Sequence, residues 1–327
     1  MAPSVAGPPH SIAAAGDSFN TGFAARPKTG DNPDLSWSVG DDTQVASIYQ
    51  RLAALTPSRR PQRFVVALDG SKVADLPRQF ARAAALHAQL VTVQSGGNDV
   101  CAARDPSGLT PAADFRRSIE AAFAVARARM PDARIFVTSL TDEARWNDRS
   151  LTIAGNESKL ADGTLCDPDL DPSGAPSPLR RTQIQSAEQR YNAILRHVCA
   201  QNAHCRYDGG AFFRLEYERE DIAPANAFHP SIAGLRHLAA TAWRAGFDYR
   251  DTTPPHVSAS TSQTGSTLRI VLAATDAAGV AGIECRFGSR PYSACAGALL
   301  LPNRARVTYR AVDRNGNSSA AYSIIAP

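Results

Sequence analysis

Ile12-Ala13-Ala14-Ala15-Gly16-Asp17-Ser18 is a run of four apolar residues that stops at a glycine, an acid and a hydroxyl. A short apolar run closed by a turn signal reads as a strand buried on both faces, the kind found in parallel sheets covered by helices. The pattern repeats along the chain. Arg63 to Leu68 ends at Asp69-Gly70, Leu90 to Ser95 ends at Gly96-Gly97-Asn98-Asp99, Arg134 to Leu140 makes a fourth strand, and His204 to Tyr207 a short fifth. Helical periodicity falls between and after them, over Phe115 to Met130, Ala187 to Cys199 and, following His229-Pro230, Ser231 to Trp243. Strands alternating with helices imply a parallel sheet with helices on both faces. Such sheets bind ligands at the carboxyl ends of their strands. Ser18, Gly70 and Asn98 each come after a strand, so this topology gathers them on one rim.

The bulk numbers narrow the class. The 327 residues are 43% hydrophobic and 20% charged, ordinary for a globular protein and long enough for two domains. No apolar run is long enough to cross a bilayer as a helix. The net charge is +4, and only Lys28, Lys72 and Lys159 are lysines. The arginines are scattered among acids and form no basic stripe, so no nucleic-acid partner is expected.

Six cysteines occur, Cys101, Cys166, Cys199, Cys205, Cys285 and Cys295, and none stand in a Cys-x-x-Cys pair. That spacing argues against a tetrahedral metal site and for disulfides in an oxidising compartment. Sequence proximity suggests Cys199–Cys205 and Cys285–Cys295, which leaves Cys101–Cys166, although spacing alone cannot fix connectivity. Met1 to His10 has neither the basic start nor the apolar stretch of a signal peptide. A secreted protein is then expected to have lost its leader. No metal and no cofactor are expected.

Residues 1–10 read as a disordered leader, 11–250 as the α/β domain and 251–327 as a second, all-β domain. The boundary is the composition shift at Asp251-Thr252-Thr253-Pro254-Pro255, after which helical patterns stop. Short alternating runs follow, Leu268 to Ala273, Gly282 to Phe287, Val307 to Val312 and Ala321 to Ile325, separated by turn signals such as Asn315-Gly316-Asn317. They predict a small β-sandwich. Asn147 to Pro178, rich in Gly, Pro, Ser and Asp, reads as a long surface excursion.

A serine, an asparagine amide and a histidine at strand or loop ends are the parts that acyl transfer needs: a nucleophile, an oxyanion donor and a general base. Singly, each has a plainer reading. Ser18 and Asp17 suit a helix cap or turn, Asn98-Asp99 a turn, and His229 a loop. Together and in order, Gly16-Asp17-Ser18, Gly70, Gly96-x-Asn98-Asp99 and His229-Pro230 resemble the blocks of the SGNH (GDSL) hydrolase superfamily, over about residues 11–248. Leu35-Ser36-Trp37-Ser38-Val39-Gly40 and Gly70-Ser71-Lys72-Val73-Ala74-Asp75-Leu76-Pro77 are similar to its phospholipase-B-like and secreted lipase branches.

The resemblance implies a flavodoxin-like three-layer α/β sandwich and a secreted hydrolase that cleaves a small-molecule or lipid ester through an acyl-enzyme. It implies Ser18 as nucleophile and His229 as base. It also implies an oxyanion hole made by the Ser18 N–H, the Gly70 N–H and the Asn98 side chain. The same residues would serve an acyltransferase. The alternative of a different class is a non-catalytic binding protein on a degenerate hydrolase fold. Position 20 is Asn20, not glycine, so the nucleophile elbow of α/β-hydrolases is not indicated. Residues 252–327 resemble bacterial immunoglobulin-like repeats appended to secreted enzymes, which implies a spacer or a contact with a cell surface or polysaccharide.

One departure stands out. The family usually places Asp three residues before the histidine, and here that residue is Asn226. Its side chain or main-chain carbonyl is expected to orient the imidazole in a Ser18–His229 dyad, with Asp221 a poorer third member. Other candidates are weaker. His204 beside Cys205 lacks ligand spacing. Asp167, Asp169 and Asp171 open like a calcium loop, but Pro172 stands where such a loop needs glycine. Asn156-Glu157-Ser158 and Asn317-Ser318-Ser319 are glycosylation sequons. Trp37 either lines a pocket or belongs to the core.

Overall fold

The computed structural model describes residues 5–101, 108–156, 170, 171, 173, 175, 177–295 and 297–327. Five strands, β1 (Ser11–Gly16), β2 (Gln62–Val65), β3 (Leu90–Gln94), β4 (Arg134–Val137) and β5 (Cys205–Tyr207), form one wholly parallel sheet in the order β2-β1-β3-β4-β5. That is the flavodoxin-like order, and its direction reverses between β1 and β3. The strands are shorter than the apolar runs that predict them, because Val66 to Leu68 and Thr138 to Leu140 leave the ladder to turn over the rim.

Alternate strand residues face opposite ways, and both faces are covered. Ala13, Ala15, Val91, Val93, Ile135 and Val137 join one core with Phe80 of α3 (Leu76–Ala85), Phe123 of α5 (Ala112–Arg129) and Leu195 of α7 (Pro178–Ala200). Ile12, Ala14, Leu90 and Phe136 join the other with Leu52 of α2 (Ile48–Leu55) and Leu238 of α8 (Ile232–Ala245). Short helices α1 (Ser18–Thr21), α4 (Gly97–Val100) and α6 (Glu143–Leu151) sit at the carboxyl rim. The helix α7 begins nine residues before its expected start. Ser177 caps it and Pro178 opens it, but its first turns are polar and hide the period.

The C-terminal part is all-β. A three-stranded antiparallel sheet pairs β6 (His256–Thr264), β7 (Thr267–Thr275) and β10 (Leu299–Pro302). A four-stranded one pairs β8 (Val280–Phe287), β9 (Ser293–Ala294), β11 (Arg306–Asp313) and β12 (Tyr322–Ile325). Ile270, Leu301, Val307 and Ala311 fill the space between them. The two predicted local disulfides are present. Cys199–Cys205 ties the end of α7 to β5, and Cys285–Cys295 closes a loop off β8. Each removes about 2–3 kcal/mol of unfolded-chain entropy in the loop-closure picture. The expected Cys101–Cys166 bridge involves Cys166, which lies outside the described residues, as do Asp167, Asp169 and Pro172 of the suspected calcium loop. No helix among the described residues is long and apolar enough to cross a membrane.

The leader needs a correction. Residues 5–10 are not loose. Val5 bridges Ser318, the Gly7 N–H donates to Asn317 Oδ1 (3.0 Å), and the Gly7 carbonyl accepts from Arg134 (2.8 Å). Arg134 also donates to Asn317 Oδ1 (2.8 Å) and lies against Phe247 and Tyr249. Arg134 opens β4. The all-β part therefore docks at the amino ends of the parallel strands, opposite the carboxyl rim.

Candidate active site

At the end of β1 the chain passes too close to β3 for any side chain. Gly16 has φ +127°, and a Cβ there would lie 1.7 Å from the Gln94 carbonyl oxygen, so only glycine fits. Two neighbours hold it in place. Gln79 accepts the Gly16 N–H (2.6 Å) and donates to its carbonyl (3.0 Å), and the Ser71 hydroxyl donates to the same carbonyl (2.7 Å). Asp17 then caps α1, its carboxylate accepting the Phe19 N–H (3.2 Å). Ser18 is thereby fixed as the first residue of that helix, buried at the reversal point of the sheet. Among the described residues nothing accepts its N–H.

His229 reaches the same place from the far end of the chain. Its loop is pinned by an Ile222–Pro230 bridge and by the Ala223 N–H, which donates to the His229 carbonyl (2.8 Å). From α6, the Trp146 indole donates to the Phe228 carbonyl and the Ser150 hydroxyl to that of Ala227. Ser231 caps α8 by accepting the Gly234 N–H (3.1 Å). The imidazole lies among Phe19, Phe23 and Phe228, with ring centroids 5.9, 4.8 and 5.1 Å away. It is 5% exposed, and its Nε2 stands 2.9 Å from Ser18 Oγ. Burial pushes the imidazole down to about 3, so it is neutral at ordinary pH. A hydroxyl paired with an imidazole is the arrangement from which a serine can be activated.

Of the two expected orienters, the Asn226 side chain lies against the His229 ring. Its carbonyl oxygen accepts the main-chain N–H groups of Phe228 and His229 (both 3.1 Å), and its Nδ2 lies 2.8 Å from His229 Nδ1. The amide group, not the carbonyl, faces the ring. Asp221 plays no part here. Its carboxylate accepts the Glu218 N–H (2.9 Å) and lies 3.1 Å from His237 Nδ1.

Asn98, just inside α4, shares a pocket with Ser18. One of its two amide hydrogens goes to the Ser71 carbonyl (3.0 Å), which leaves the second for a ligand. Gly70 does not join them. It is exposed with φ +69°, and it stands outside the residues lining the pocket.

The pocket beside Ser18 is lined by the apolar side chains of Phe19, Phe228 and Leu140 and by the polar ones of Asn98, Thr141 and Glu143. Its polar far wall was missed in the sequence. Leu140-Thr141-Asp142-Glu143 follows β4 as Gly16-Asp17-Ser18 follows β1, and that strand-end position is the signal that could have found it. Glu143 Oε1 accepts from the Thr141 hydroxyl (2.7 Å), while Oε2 is buried with no partner among the described residues. Burial pushes the Glu143 carboxyl up to about 7 and that of Asp17 up to about 8, with mutual repulsion adding to Asp17. Both are protonated below neutrality.

The remaining candidates have structural places. Trp37 is core, its indole donating to Gln94 Oε1 (3.1 Å) with Phe212 edge-on. His204 sits at the junction with the all-β part, 3.4 Å from Glu284 and 3.1 Å from Arg310. Among the described residues, Asp251, Asp276 and Asp313 come close enough to share a cation, but they lie at that junction, away from the pocket.

No curated protein matches this chain. Similar solved structures include an α/β hydrolase from the metagenome of Lake Arreo, Spain (17% identity, TM-score 0.47, covering 75% of this chain and 96% of that one). An acetylxylan esterase from Geobacillus stearothermophilus is similar too (19%, 0.45, 73% and 95%), as is the psychrotrophic esterase EstA from Pseudoalteromonas (12%, 0.41, 72% and 96%). Residues 14–237 match the GDSL-like lipase/acylhydrolase family, a stretch that covers more than half of the sequence and holds Ser18, Asn98 and His229. On that match the chain belongs to the GDSL-like lipase/acylhydrolase family and is a hydrolase acting on esters.

Proposed function

We propose that this chain is a secreted carboxylic ester hydrolase that works through an acyl-enzyme on Ser18. The observation that carries the reading is the 2.9 Å contact between Ser18 Oγ and His229 Nε2, at the carboxyl rim of the sheet. In the proposed reaction Ser18 Oγ attacks the ester carbonyl and its proton passes to His229. The oxyanion is held by the Ser18 N–H and the free Asn98 amide hydrogen. The alcohol leaves with the proton from His229, and water, deprotonated by the same imidazole, then releases the acid.

The polar side chains of Asn98, Thr141 and Glu143 stand beside Ser18 in the pocket, which favours short acyl groups over long fatty chains. Two disulfides support an oxidising compartment. Residues 11–250 form the hydrolase unit in this reading, and 251–327 an immunoglobulin-like unit that presents it to a surface or polysaccharide. Asn226, in place of the family's acid, is the observation that favours a second reading, a binding protein that no longer turns over esters.

The deciding experiment offers p-nitrophenyl acetate and butyrate to the chain and to Ser18→Ala. Turnover that the variant loses by at least about a thousandfold supports the hydrolase. Absence of turnover in both supports the binder. Faster product formation with an added alcohol, with the new ester recovered, identifies an acyltransferase.

A further inference from the structure

We propose that Asn226 holds the resting His229 in its Nε2–H tautomer, so that the imidazole donates a hydrogen bond to Ser18 where a base must accept one. The inference rests on the esterase reading for its consequence, but not for its geometry. The Asn226 carbonyl oxygen is fixed by two donors, the N–H groups of Phe228 and His229. Turning the amide over would place its NH2 against both of them, four hydrogens facing one another with no acceptor. The amide therefore presents Nδ2 to the ring, 2.8 Å from Nδ1. An NH2 group only donates, so Nδ1 must accept. A neutral imidazole carries a single N–H, which is then on Nε2 and aimed at Ser18 Oγ 2.9 Å away. The aromatic surroundings of the ring keep it neutral, so a doubly protonated form does not replace this state near neutral pH.

Nε2 cannot take the Ser18 proton while it holds its own. Before attack that proton must leave Nε2 and another must arrive at Nδ1, against the hydrogens of Asn226. The amide is thus a brake on the first step, and Asn226 is a positioning residue. A carboxylate at 226 would keep one oxygen on the two main-chain N–H groups and offer the other to an Nδ1–H, which frees Nε2 as an acceptor.

Two readouts test this. Nitrogen-15 NMR of the histidine-labelled wild-type chain, with His229→Gln to assign the ring, should show a pyridine-type Nδ1 and a pyrrole-type Nε2. Asn226→Asp should exchange the two and raise kcat on p-nitrophenyl acetate at least about tenfold at pH 7, with KM within about twofold. A pyrrole-type Nδ1 in the wild-type ring overturns the inference however fast esters turn over. So does a folded Asn226→Asp whose kcat stays level beside a measurable wild-type rate. A pyrrole-type Nε2 with no turnover in either chain upholds the tautomer and removes the esterase reading.

Discussion

Ser18 Oγ and His229 Nε2 stand 2.9 Å apart although 211 positions of sequence separate them. Neither group is on a flexible arm. One is fixed at the end of the inner strand β1, and the other on a loop that α6 holds by the Trp146 and Ser150 side chains. The contact is a property of the whole α/β unit, and it depends on residues that never touch it.

Gly16 is the clearest of these. Any Cβ at this position meets the Gln94 carbonyl at 1.7 Å, and the backbone holds φ +127°. Gly16→Ala must therefore push β1 away from β3 or change the turn into Ser18. The expected loss is more than about 3 kcal/mol of stability, the scale of a severe backbone and packing violation. Urea unfolding measures it. A variant as stable as the wild type, with Ser18 still reactive toward a fluorophosphonate probe, would show that the rim is softer than described.

Asn98 should matter to rate and little to folding. Its one committed hydrogen goes to the Ser71 carbonyl. Asn98 and the Ser18 N–H both stand at the pocket as donors to an oxyanion. Asn98→Ala is expected to lower kcat by about a hundredfold to a thousandfold. KM should move by less than about threefold, since the interaction is made only as charge develops. Steady-state kinetics would refute this if KM rose and kcat held.

The two buried carboxyls set an unusual pH profile. Asp17, held near 8, and Glu143, near 7, are neutral in acid and become anions as pH rises. Both line the pocket with Ser18, so their ionisation opposes the negative charge that forms there, and kcat/KM should fall above about pH 7. At the acid end His229, held down to about 3, stays neutral well below the usual histidine range. No loss is expected between pH 6 and 5. Glu143→Gln should shift the alkaline fall upward and leave the acid side alone. A profile with an ordinary histidine limb near 6.5 and a flat alkaline side would contradict both assignments.

These features differ in how far the sequence reveals them. The end of β1 is legible because a strand, its glycine and the hydroxyl after it are consecutive, and local grammar is enough. Cys199–Cys205 and Cys285–Cys295 are legible for the same reason. Whether the Gly70 amide reaches the pocket depends on the turn around it, which has φ +69° and which no local pattern in the sequence spells out. Residues 5–10 carry no period at all, and their order comes from Asn317 and Ser318, more than three hundred positions away. Asn226 was visible as a departure from the family pattern. Its consequence was not, since which end of an amide faces a ring is decided by two main-chain donors that only the folded loop supplies.

The junction with the all-β part should unfold as a separable step. Arg310 of β11 is buried there, donating to Glu284 Oε2 (2.9 Å), the Pro131 carbonyl (2.9 Å) and Asp132, and lying over the Tyr292 ring at 4.2 Å. Arg310→Met keeps the apolar stem but strands the largely buried Glu284 carboxylate, with His204 Nε2 3.4 Å away. Removing one partner of a buried ion pair costs about 3–5 kcal/mol. The charge lost lies on the amino side of the sheet, across from Ser18. The expected result in scanning calorimetry is an early transition for residues 251–327 followed by the hydrolase unit, with ester turnover at 25 °C unchanged. A single, unshifted transition would mean that the other contacts across the junction, among them those of Arg134 and Val5 with Asn317 and Ser318, hold the two parts together without Arg310.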